Sequence, residues 1–569
     1  MRKIFLLLLL IVSTTLTYAR KFYFSTTGND SYTITQSQNP ATPWKTISKL
    51  QSSMSSLVAG DTILFNRGET FTGTLNITKP ITISTYGIGA RPVFTNTTAN
   101  YLINIQGQSG ITIDGIKFYD PIQPAVGVLA NIKYGISMNT IDWTATGTPT
   151  TFVTIQNCDF SYIGIGINLI ANDCTIKNCN FDNLREVNNP PAPDPNGYGS
   201  NGVVIAGSRN KFLYNTFTEC WSTSYTFTYD GGAFEIYDEY ATGCNDNLFM
   251  YNTLYHSLGI CEMGGRPGGS ANNNLFAYNK CINSGGFGIH LGTGQFAITA
   301  AGNKFYNNVL IQNDDIWPLQ PETNFFWCEY NATSATTIMD IKNNIFYVRS
   351  INTTYPNIVI ATTNFARYLT HTNNIYNLGR NCTLNYTKDA TELLTNTALW
   401  IDTTNTIASN WNLHLISTSP AINAGVGVGI ANDFDGVSVT ATPEIGIYEW
   451  TSQIVPCTFT YGSWNTCTNG TQTRSYTTSP IGCSGTPPAD SISRSCTNPI
   501  VISSYYYNAS NKRIYIKCNV AGVMVVTNTV GSIVRNYSYV ANGAWIYLSG
   551  LPRGTYYAST YGQSIMFFR

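Results

Sequence analysis

Charged residues are scarce in this sequence. Lys and Arg together number 31, as do Asp and Glu, so 11% of the 569 residues are charged and the formal net charge is zero. A typical soluble domain has about 25% charged residues. No long basic run occurs, which argues against a nucleic-acid partner. Sparse charge with 13% aromatic residues and many Thr, Asn, Ile and Val favours sheet over long surface helices.

Long apolar runs are also missing, apart from one at the N-terminus. Arg2 and Lys3 precede an apolar run at 4–12, and small residues follow around Ala19. This pattern is typical of a secretory signal peptide, which we place at 1–19. No later stretch of about 18 apolar residues occurs, so no transmembrane segment is expected. We expect a secreted chain, extracellular or attached to the outer cell surface, in which disulfides are permitted.

The middle of the chain repeats a short pattern: Asn or Tyr, then Asn or Cys, a variable residue, and an apolar or aromatic residue. The closing positions are 21 to 37 residues apart. Such a period, with longer spacings where loops are inserted, is typical of a solenoid. The closing residues are Phe160, Phe181, Phe217, Leu254, Cys281, Val309, Phe346 and Tyr376.

Within each repeat, apolar residues alternate and are separated by Gly and Asn turns, so the prediction is an all-β chain built on a right-handed parallel β-helix. Stacked Asn amides would satisfy buried turn groups in successive coils. Cys158 and Cys179 fill the same position, and the sequence allows either a disulfide or two buried thiols there. The predicted Asn stack is Asn215, Asn252, Asn279, Asn307, Asn344 and Asn374.

Several motifs carry a family resemblance. Residues 22–30 (FYFSTTGND), 60–65 (GDTILF) and 66–71 (NRGETF) resemble the opening of secreted pectate-lyase-like β-helix proteins. Residues 419–425 (SPAINAG) and 443–449 (PEIGIYE) resemble the end of the same solenoid. The resemblance implies a β-helix over 20–450. It says little about reaction, because this fold includes lyases, hydrolases, epimerases and non-catalytic adhesins.

Two smaller modules are expected after the solenoid. Residues 451–497 contain four cysteines around Trp464 and resemble a thrombospondin type 1 repeat, with a single Trp and two fewer cysteines than the usual form. That resemblance implies a cation–π contact between Trp464 and Arg474. So small a segment needs disulfides, and four cysteines allow three connectivities. The disulfide candidates are Cys457, Cys467, Cys483 and Cys496.

Alternating strands resume in the last module, 498–569. Residues 523–531 (VMVVTNTVG), 551–556 (LPRGTY) and 563–569 (QSIMFFR) resemble the C-terminal sorting domain of the type IX secretion system of Bacteroidetes. The resemblance implies a C-terminal β-sandwich that serves as an export signal and has the type IX machinery as its partner. The alternative is a small β-sandwich without that role.

Three ionisable residues stand at one strand position in successive coils. Glu235, Glu262 and His290 each lie 19 residues before a closing residue. Their neighbours are apolar, so all three should point outward, with backbones about 4.8 Å apart between coils. The same alignment places Val204 one coil earlier and Glu329 one coil later. We interpret Glu235, Glu262 and His290 as candidate catalytic residues.

Long insertions at 182–200 and 218–231 precede strands of this face and would wall a groove. The second insertion contains candidate substrate-binding residues whose aromatic faces suit a sugar ring, namely Trp221, Tyr225, Tyr229 and Asp230. Arg266 is close enough to Glu262 to bind a uronate carboxylate or a sulfate. Glu329 is a further substrate-binding candidate.

Two mechanisms fit adjacent carboxylates. In a glycoside hydrolase, one Glu is the acid and the other the nucleophile, and adjacent coils favour retention of configuration. In a polysaccharide lyase, Glu235 and Glu262 would hold calcium against a uronate, with His290 or a tyrosine as base. Many β-helix lyases use Lys or Arg as the base, and no Lys stands in this column, so the hydrolase is favoured. No cofactor is expected for the hydrolase, whereas the lyase would need calcium. Asp433 and Asp435 are interpreted as turn residues.

The predicted function is therefore a monomeric, carbohydrate-active enzyme that cleaves glycosidic bonds of a polysaccharide. The alternative is a non-catalytic surface protein that binds a cell-surface glycan for adhesion.

Overall fold

The computed structural model describes residues 19–138, 150–188, 197–226, 228–284, 287–291, 298–312, 326–330, 337–348, 369–378, 384, 386–405, 407–450, 458–465, 471–479, 492–495, 502–508, 513–518, 522–539, 544–560 and 563–568. For 287–291 and 327–330 it describes the backbone only. The chain divides into two compact units, Met1–Trp450 and Thr451–Arg569. The predicted signal peptide, except Ala19, lies outside the described residues. Over these ranges, no helix has the length and apolar character needed to cross a membrane.

The first unit is a parallel β-helix, because strands of successive coils pair in parallel and form three long sheets. The first sheet contains Lys21–Phe24, Thr62–Asn66, Thr82–Tyr86, Thr112–Asp114, Thr154–Gln156, Thr175–Lys177, Lys211–Leu213, Leu248–Met250, Leu275–Ala277, Asn303–Tyr306, Met339–Lys342 and Leu369–Thr372. The second contains Thr70–Thr72, Val93–Thr95, Lys117–Tyr119, Asp159–Ser161, Asn180–Asp182, Thr216–Thr218, Thr253–Tyr255, Lys280–Ile282, Val309–Gln312, Ile345–Val348, Ile375–Leu378 and Leu393–Leu394. The third contains Leu75–Ile77, Ala99–Ile105, Ile132–Met138, Ile165–Leu169, Asn201–Ile205, Gly232–Asp238, Cys261–Gly265, Phe287–Leu291 and Phe326–Tyr330.

The repeat predicted from the sequence is confirmed in all coils but one. Phe160, Phe181 and Phe217 pair in register on the second sheet, and their rings stack 4.7–4.8 Å apart inside the solenoid. Stacking identical rings at the strand spacing buries apolar area in every coil. The exception is Val309: the residue that pairs with Cys281 is Leu310.

A ladder of buried Asn amides runs along one turn, as predicted. Asn252 donates to Asn279 Oδ1 at 3.0 Å, but Asn279 donates to Asn308, not to the predicted Asn307. Asn307 has the left-handed backbone (φ 53°) that Tyr278 has one coil earlier, so the ladder position falls on the next residue. Cys158 and Cys179 are buried free thiols.

Short elements cover the ends and edges of the solenoid. The helix Ile47–Ser53 begins at Thr46, whose side chain accepts from Lys49 N, and buries Ile47 and Leu50 in the core. The 3-10 turns are Gln36–Gln38, Met54–Ser56 and Ala408–Asn410. Paired short strands are Thr150–Thr151 with Ala171–Asn172, Glu186–Asn188 with Tyr198–Gly199, Ser222–Ser224 with Thr228–Asp230, and Trp400–Asp402 with Asn412–Leu415.

Residues 419–450, here named the closing segment, pack along the outer face of the second sheet. Ile445 and Ile447 are buried in one apolar cluster with Ile345 and Ile375 of that sheet. Gly446 N donates to Asn343 O at 2.8 Å, which fastens the segment to a solenoid turn. The segment therefore covers apolar surface that the coils alone would expose.

The second unit is built mainly from antiparallel strands in its described residues. One three-stranded antiparallel sheet contains Thr458–Trp464, Thr471–Ser479 and Ser493–Ser495. A second contains Ile502–Asn508, Arg513–Cys518 and Ala544–Tyr547, and a four-stranded sheet contains Ile533–Tyr539, Gly522–Asn528, Thr555–Thr560 and Gln563–Phe568. Ile514, Met524 and Val526 share one buried cluster, so the last two sheets form a sandwich.

The predicted cation–π contact of the Cys-rich segment is confirmed, since Arg474 lies 4.5 Å from the ring centre of Trp464. Arg494 lies 4.2 Å from the same ring. The disulfide candidates Cys457, Cys467, Cys483 and Cys496 lie outside the described residues, and the likeness to a thrombospondin repeat stays a prediction.

Candidate active site

The outer face of the third sheet carries the predicted carboxylates. Glu235 pairs directly with Glu262, and Val204 precedes them, as expected. Phe234 and Ile236 are buried in the core, whereas Glu262 is exposed and Glu235 half-buried. Parallel pairing in register therefore brings two outward carboxylates onto adjacent strands, with backbones about 4.8 Å apart.

The predicted position of His290 is wrong. The register pairs Glu262 with Gly288, and His290 lies two residues further along the strand. The alignment failed because 22 residues separate Gly288 from Leu310, against 19 from Glu262 to Cys281. Glu329 pairs with His290 and so is also displaced from the Glu262 column. The side chains of both residues lie outside the described part.

The two predicted insertions fold into antiparallel hairpins beside this face. The first pairs Glu186–Asn188 with Tyr198–Gly199, and the second pairs Ser222–Ser224 with Thr228–Asp230. Gly231 has φ 118°, and a Cβ there would lie 2.7 Å from Ser200 O, so the second hairpin approaches the first too closely for any side chain at 231. Asp230, the residue before Gly231, lies close enough to Glu186 and Glu262 for their charges to act on its carboxyl.

Two carboxyl groups on the hairpins have pKa values above their ordinary range. Burial, together with the charge of Glu235, raises the pKa of Glu186 to about 8. Burial, with the charges of Glu186 and Glu262, raises the pKa of Asp230 well above its ordinary value. Among the described residues, neither oxygen of Glu186 nor Oδ2 of Asp230 has a hydrogen-bond partner. We name Glu186, Asp230, Glu235 and Glu262 the cleft cluster.

A polar contact orients one member of the cleft cluster. Asn201, on the preceding coil, donates from Nδ2 to Glu235 Oε2 at 2.5 Å. Asn201 pairs with Gly232 at the start of the strand that carries Glu235. Since the contact uses one oxygen of Glu235, the preceding strand fixes where this carboxylate points.

Aromatic residues stand around the cluster. Trp221 packs edge-on against Tyr229 with ring centres 6.1 Å apart, and Trp221 Nε1 donates to Glu219 at 2.7 Å. Tyr225, in the hairpin turn, is 68% exposed. The second insertion thus supplies aromatic faces, and their contact with a sugar stays a prediction.

Cationic side chains beside the cluster are already engaged. Arg266 forms an ion pair with Glu239. Arg185 is buried next to Glu186 in sequence, but donates to the carbonyls of Pro124 (2.5 Å) and Leu184 (2.8 Å). Neither guanidinium forms an ion pair with a cleft carboxylate in the described residues.

No group of three or more His, Cys, Asp or Glu side chains that could hold a metal ion occurs within the described ranges. Asp433 accepts from Asp435 N (2.9 Å) and Val437 N (2.8 Å), which supports its interpretation as a turn residue. The calcium alternative at Glu235 and Glu262 stays a prediction.

Sequence reasoning missed Glu186 as a site residue and treated Asp230 only as a sugar ligand. The signal present was a carboxylate in each of the two insertions that precede strands of the groove face. The sequence pattern did not show that both insertions fold onto the same coils. That placement depends on the pairing of the two hairpins, and the insertions are not part of the repeat.

No protein-family model and no curated protein sequence matches this chain. Among solved structures, an alginate lyase from Paenibacillus sp. str. FPU-7 is similar at 13% identity and a TM-score of 0.35, covering 57% of this chain and 97% of that one. The tailspike protein of E. coli bacteriophage HK620, in complex with a pentasaccharide, is similar at 10% identity and a TM-score of 0.34, covering 59% of this chain and 65% of that one. The fold assignment rests on the strand pairing described above.

Proposed function

We propose that this protein is a glycoside hydrolase that cleaves a polysaccharide in the groove over the third sheet. The observation that carries the proposal is the cleft cluster, in which proton-holding carboxyls stand beside carboxylates on adjacent strands. Hydrolysis of a glycosidic bond needs one carboxyl that holds a proton and one carboxylate that does not.

Asp230 is the proposed acid. Burial and the neighbouring carboxylates raise the pKa of Asp230, which favours a proton on this carboxyl for the departing glycosidic oxygen, and the residue is partly exposed. Glu262, the exposed member, is the proposed nucleophile or base, since a reacting carboxylate must reach the sugar ring. Glu235, fixed by Asn201, would position the substrate between them. The retention of configuration predicted for Glu235 and Glu262 as the catalytic pair does not carry over to Asp230 and Glu262, because Asp230 lies on a hairpin and not on a strand of the third sheet.

Elimination fits these residues less well. A lyase needs a base for the carbon-bound proton and a cation against the uronate carboxylate. Burial, with the charges of Glu239 and Glu235, raises the pKa of Tyr237 to about 12, which makes its phenol a poor base. Arg266 is paired with Glu239, so it is not a ready partner for a uronate.

The remaining sequence-based expectations belong to the same proposal. The protein would be exported through its N-terminal signal peptide and would act outside the cell, released or attached to the outer surface. The C-terminal sandwich would be the sorting domain for the type IX machinery. The enzyme would work as a monomer without a cofactor.

The test is a screen of the full chain against neutral and anionic polysaccharides. New reducing ends without absorbance at 235 nm are the expected result, because hydrolysis creates no double bond. New absorbance at 235 nm would show elimination and would contradict the proposal. Binding without turnover would favour the adhesion alternative.

A further inference from the structure

The cleft cluster also bears on the charge of the substrate. Its four carboxyls act on one another: Glu235 raises the pKa of Glu186 further than burial alone, and Glu186 and Glu262 do so for Asp230. A substrate anion placed among them would add to a charge that the site already avoids by keeping protons.

The neighbouring cations do not relieve that charge. The guanidinium of Arg266 is paired with Glu239, and that of Arg185 is turned to backbone carbonyls and lies 5.3 Å from the ring centre of Tyr162. Freeing either group for a uronate or a sulfate would break contacts that already exist.

The same outward column continues into earlier coils with neutral groups. Asn104, Ser137 and Asn168 pair in register ahead of Val204 and Glu235. The Oδ1 atoms of Asn104 and Asn168 are buried and have no hydrogen-bond partner in the described part of the chain. Asn104, Ser137 and Asn168 are buried and uncharged, so this part of the column gives no attraction to an anion.

Glu186 supplies a second, independent observation. Its side chain is 0% exposed, and both oxygens lack a partner among the described residues. An unpartnered buried carboxyl is tolerated as a neutral acid and becomes costly once it ionises. A nearby anion would strengthen this cost, whereas a neutral sugar would not.

We propose, on the premise of the hydrolase above, that the groove takes an uncharged glycan, with no carboxylate or sulfate on the residues that reach the cleft cluster. The sugars bound there present hydroxyl or N-acetyl groups. Uronate and sulfated polymers are excluded by charge and not by size.

The experiment compares one backbone with and without charge. The probes are neutral galactan, mannan and xylan, the C6-carboxylated derivatives of galactan and mannan made by oxidising their primary hydroxyls, and polygalacturonate. Binding and turnover of each are measured with the full chain at low and high salt. We expect at least a tenfold preference for a neutral polymer over its carboxylated form, shrinking in high salt.

Variants sharpen the comparison. Glu235→Gln should improve binding of the carboxylated polymer by about tenfold, as expected for removing one charge within about 10 Å. Asp340→Asn, the same change on the first sheet, should leave binding unaltered.

The outcomes separate the two proposals. Neutral polymers bound but not cleaved would sustain this inference and defeat the hydrolase. Hydrolysis of polygalacturonate at a rate equal to or above that of every neutral polymer would overturn the inference and sustain the hydrolase. A protein that neither binds nor cleaves any of the probes would overturn both.

Discussion

Two clusters of carboxyl groups among the described residues differ in what their oxygens contact. In the closing segment, Asp433 accepts from three backbone N–H groups, those of Asp435, Val437 and Glu449. In the cleft cluster, Glu186 has no partner for either oxygen within the described residues. The carboxyl of Asp433 is satisfied by its own chain, whereas both oxygens of Glu186 lack a partner; in the closing segment, one oxygen of Glu444, Oε2, also lacks one.

A raised pKa alone does not distinguish them. Burial raises the pKa of Glu186 to about 8, and burial together with a side-chain hydrogen bond to Glu449 does the same for Glu444. Glu449 also accepts from Thr440 N at 3.2 Å, so the Glu444–Glu449 pair holds a loop in place. The comparison shows that a raised pKa does not by itself identify a catalytic carboxyl. The number of hydrogen-bond partners distinguishes a structural carboxyl from a candidate catalytic one better.

The largest difference between the clusters should be in turnover. Glu262→Gln removes the proposed reacting carboxylate and should lower kcat/KM by about 10²–10⁴-fold on the cleaved polymer, with little change in melting temperature because the side chain is exposed. Steady-state kinetics and a thermal melt measure the two effects. Asp246→Asn, at an exposed carboxyl outside the cleft cluster, is the control. Full activity in Glu262→Gln would remove Glu262 from the site.

Replacing a carboxyl of the closing segment should lower the stability of the protein and leave its turnover unchanged. Asp433→Asn leaves backbone N–H groups with a poorer acceptor, so the free energy of unfolding should fall by about 1.5–3 kcal/mol. Turnover per folded molecule should be unchanged. Asp435→Asn is the control, since its exposed ion pair with His414 is worth less than about 1 kcal/mol. Equal losses in both variants would mean that the backbone contacts of Asp433 add no stability.

The pH dependence of stability should change when Glu186 is replaced. The folded chain holds the Glu186 proton up to about pH 8, whereas the unfolded chain loses it near 4.5. Between these values the folded state binds more protons, so stability falls as pH rises, with a slope of up to about 1.4 kcal/mol per pH unit. Denaturant unfolding of Glu186→Gln from pH 5 to 9 should show a shallower fall. An unchanged slope would mean that Glu186 ionises normally.

The smallest effect should be in the second unit, outside both clusters. Arg474 lies over Trp464 and over Tyr461, at 4.5 and 4.2 Å from the ring centres. Arg474→Gln should destabilise this unit by about 1 kcal/mol and leave polysaccharide turnover unaltered. Calorimetry of the full chain measures the first effect. A loss of turnover in Arg474→Gln would link the unit to the site and weaken the comparison.

The sequence was sufficient for the solenoid because every coil repeats the same physical requirement. Inward apolar residues and a buried turn amide recur, so Phe181 and Asn252 could be placed from pattern alone. The prediction of residue positions failed where a coil differs in length from its neighbours. Three extra residues moved His290 along its strand, and one shifted turn exchanged Asn307 for Asn308.

The cleft could be predicted only in part for a related reason. Glu235 and Glu262 were placed correctly because they belong to the repeat. Glu186 and Asp230 belong to insertions, whose folding is set by hairpin pairing and by the close approach at Gly231. Their burial, and therefore their proton affinity, exists only in the folded chain.

The most direct test of the central claim is the response of Asp230→Asn to the leaving group. An acid is needed only when the departing oxygen is a poor leaving group, so the 2,4-dinitrophenyl glycoside of the cleaved sugar should bypass it. We predict that Asp230→Asn loses about 10²–10⁴-fold in kcat/KM on the polymer and less than about tenfold on the activated glycoside. Equal losses on both substrates, or none on the polymer, would contradict the assignment of Asp230 as the proton donor.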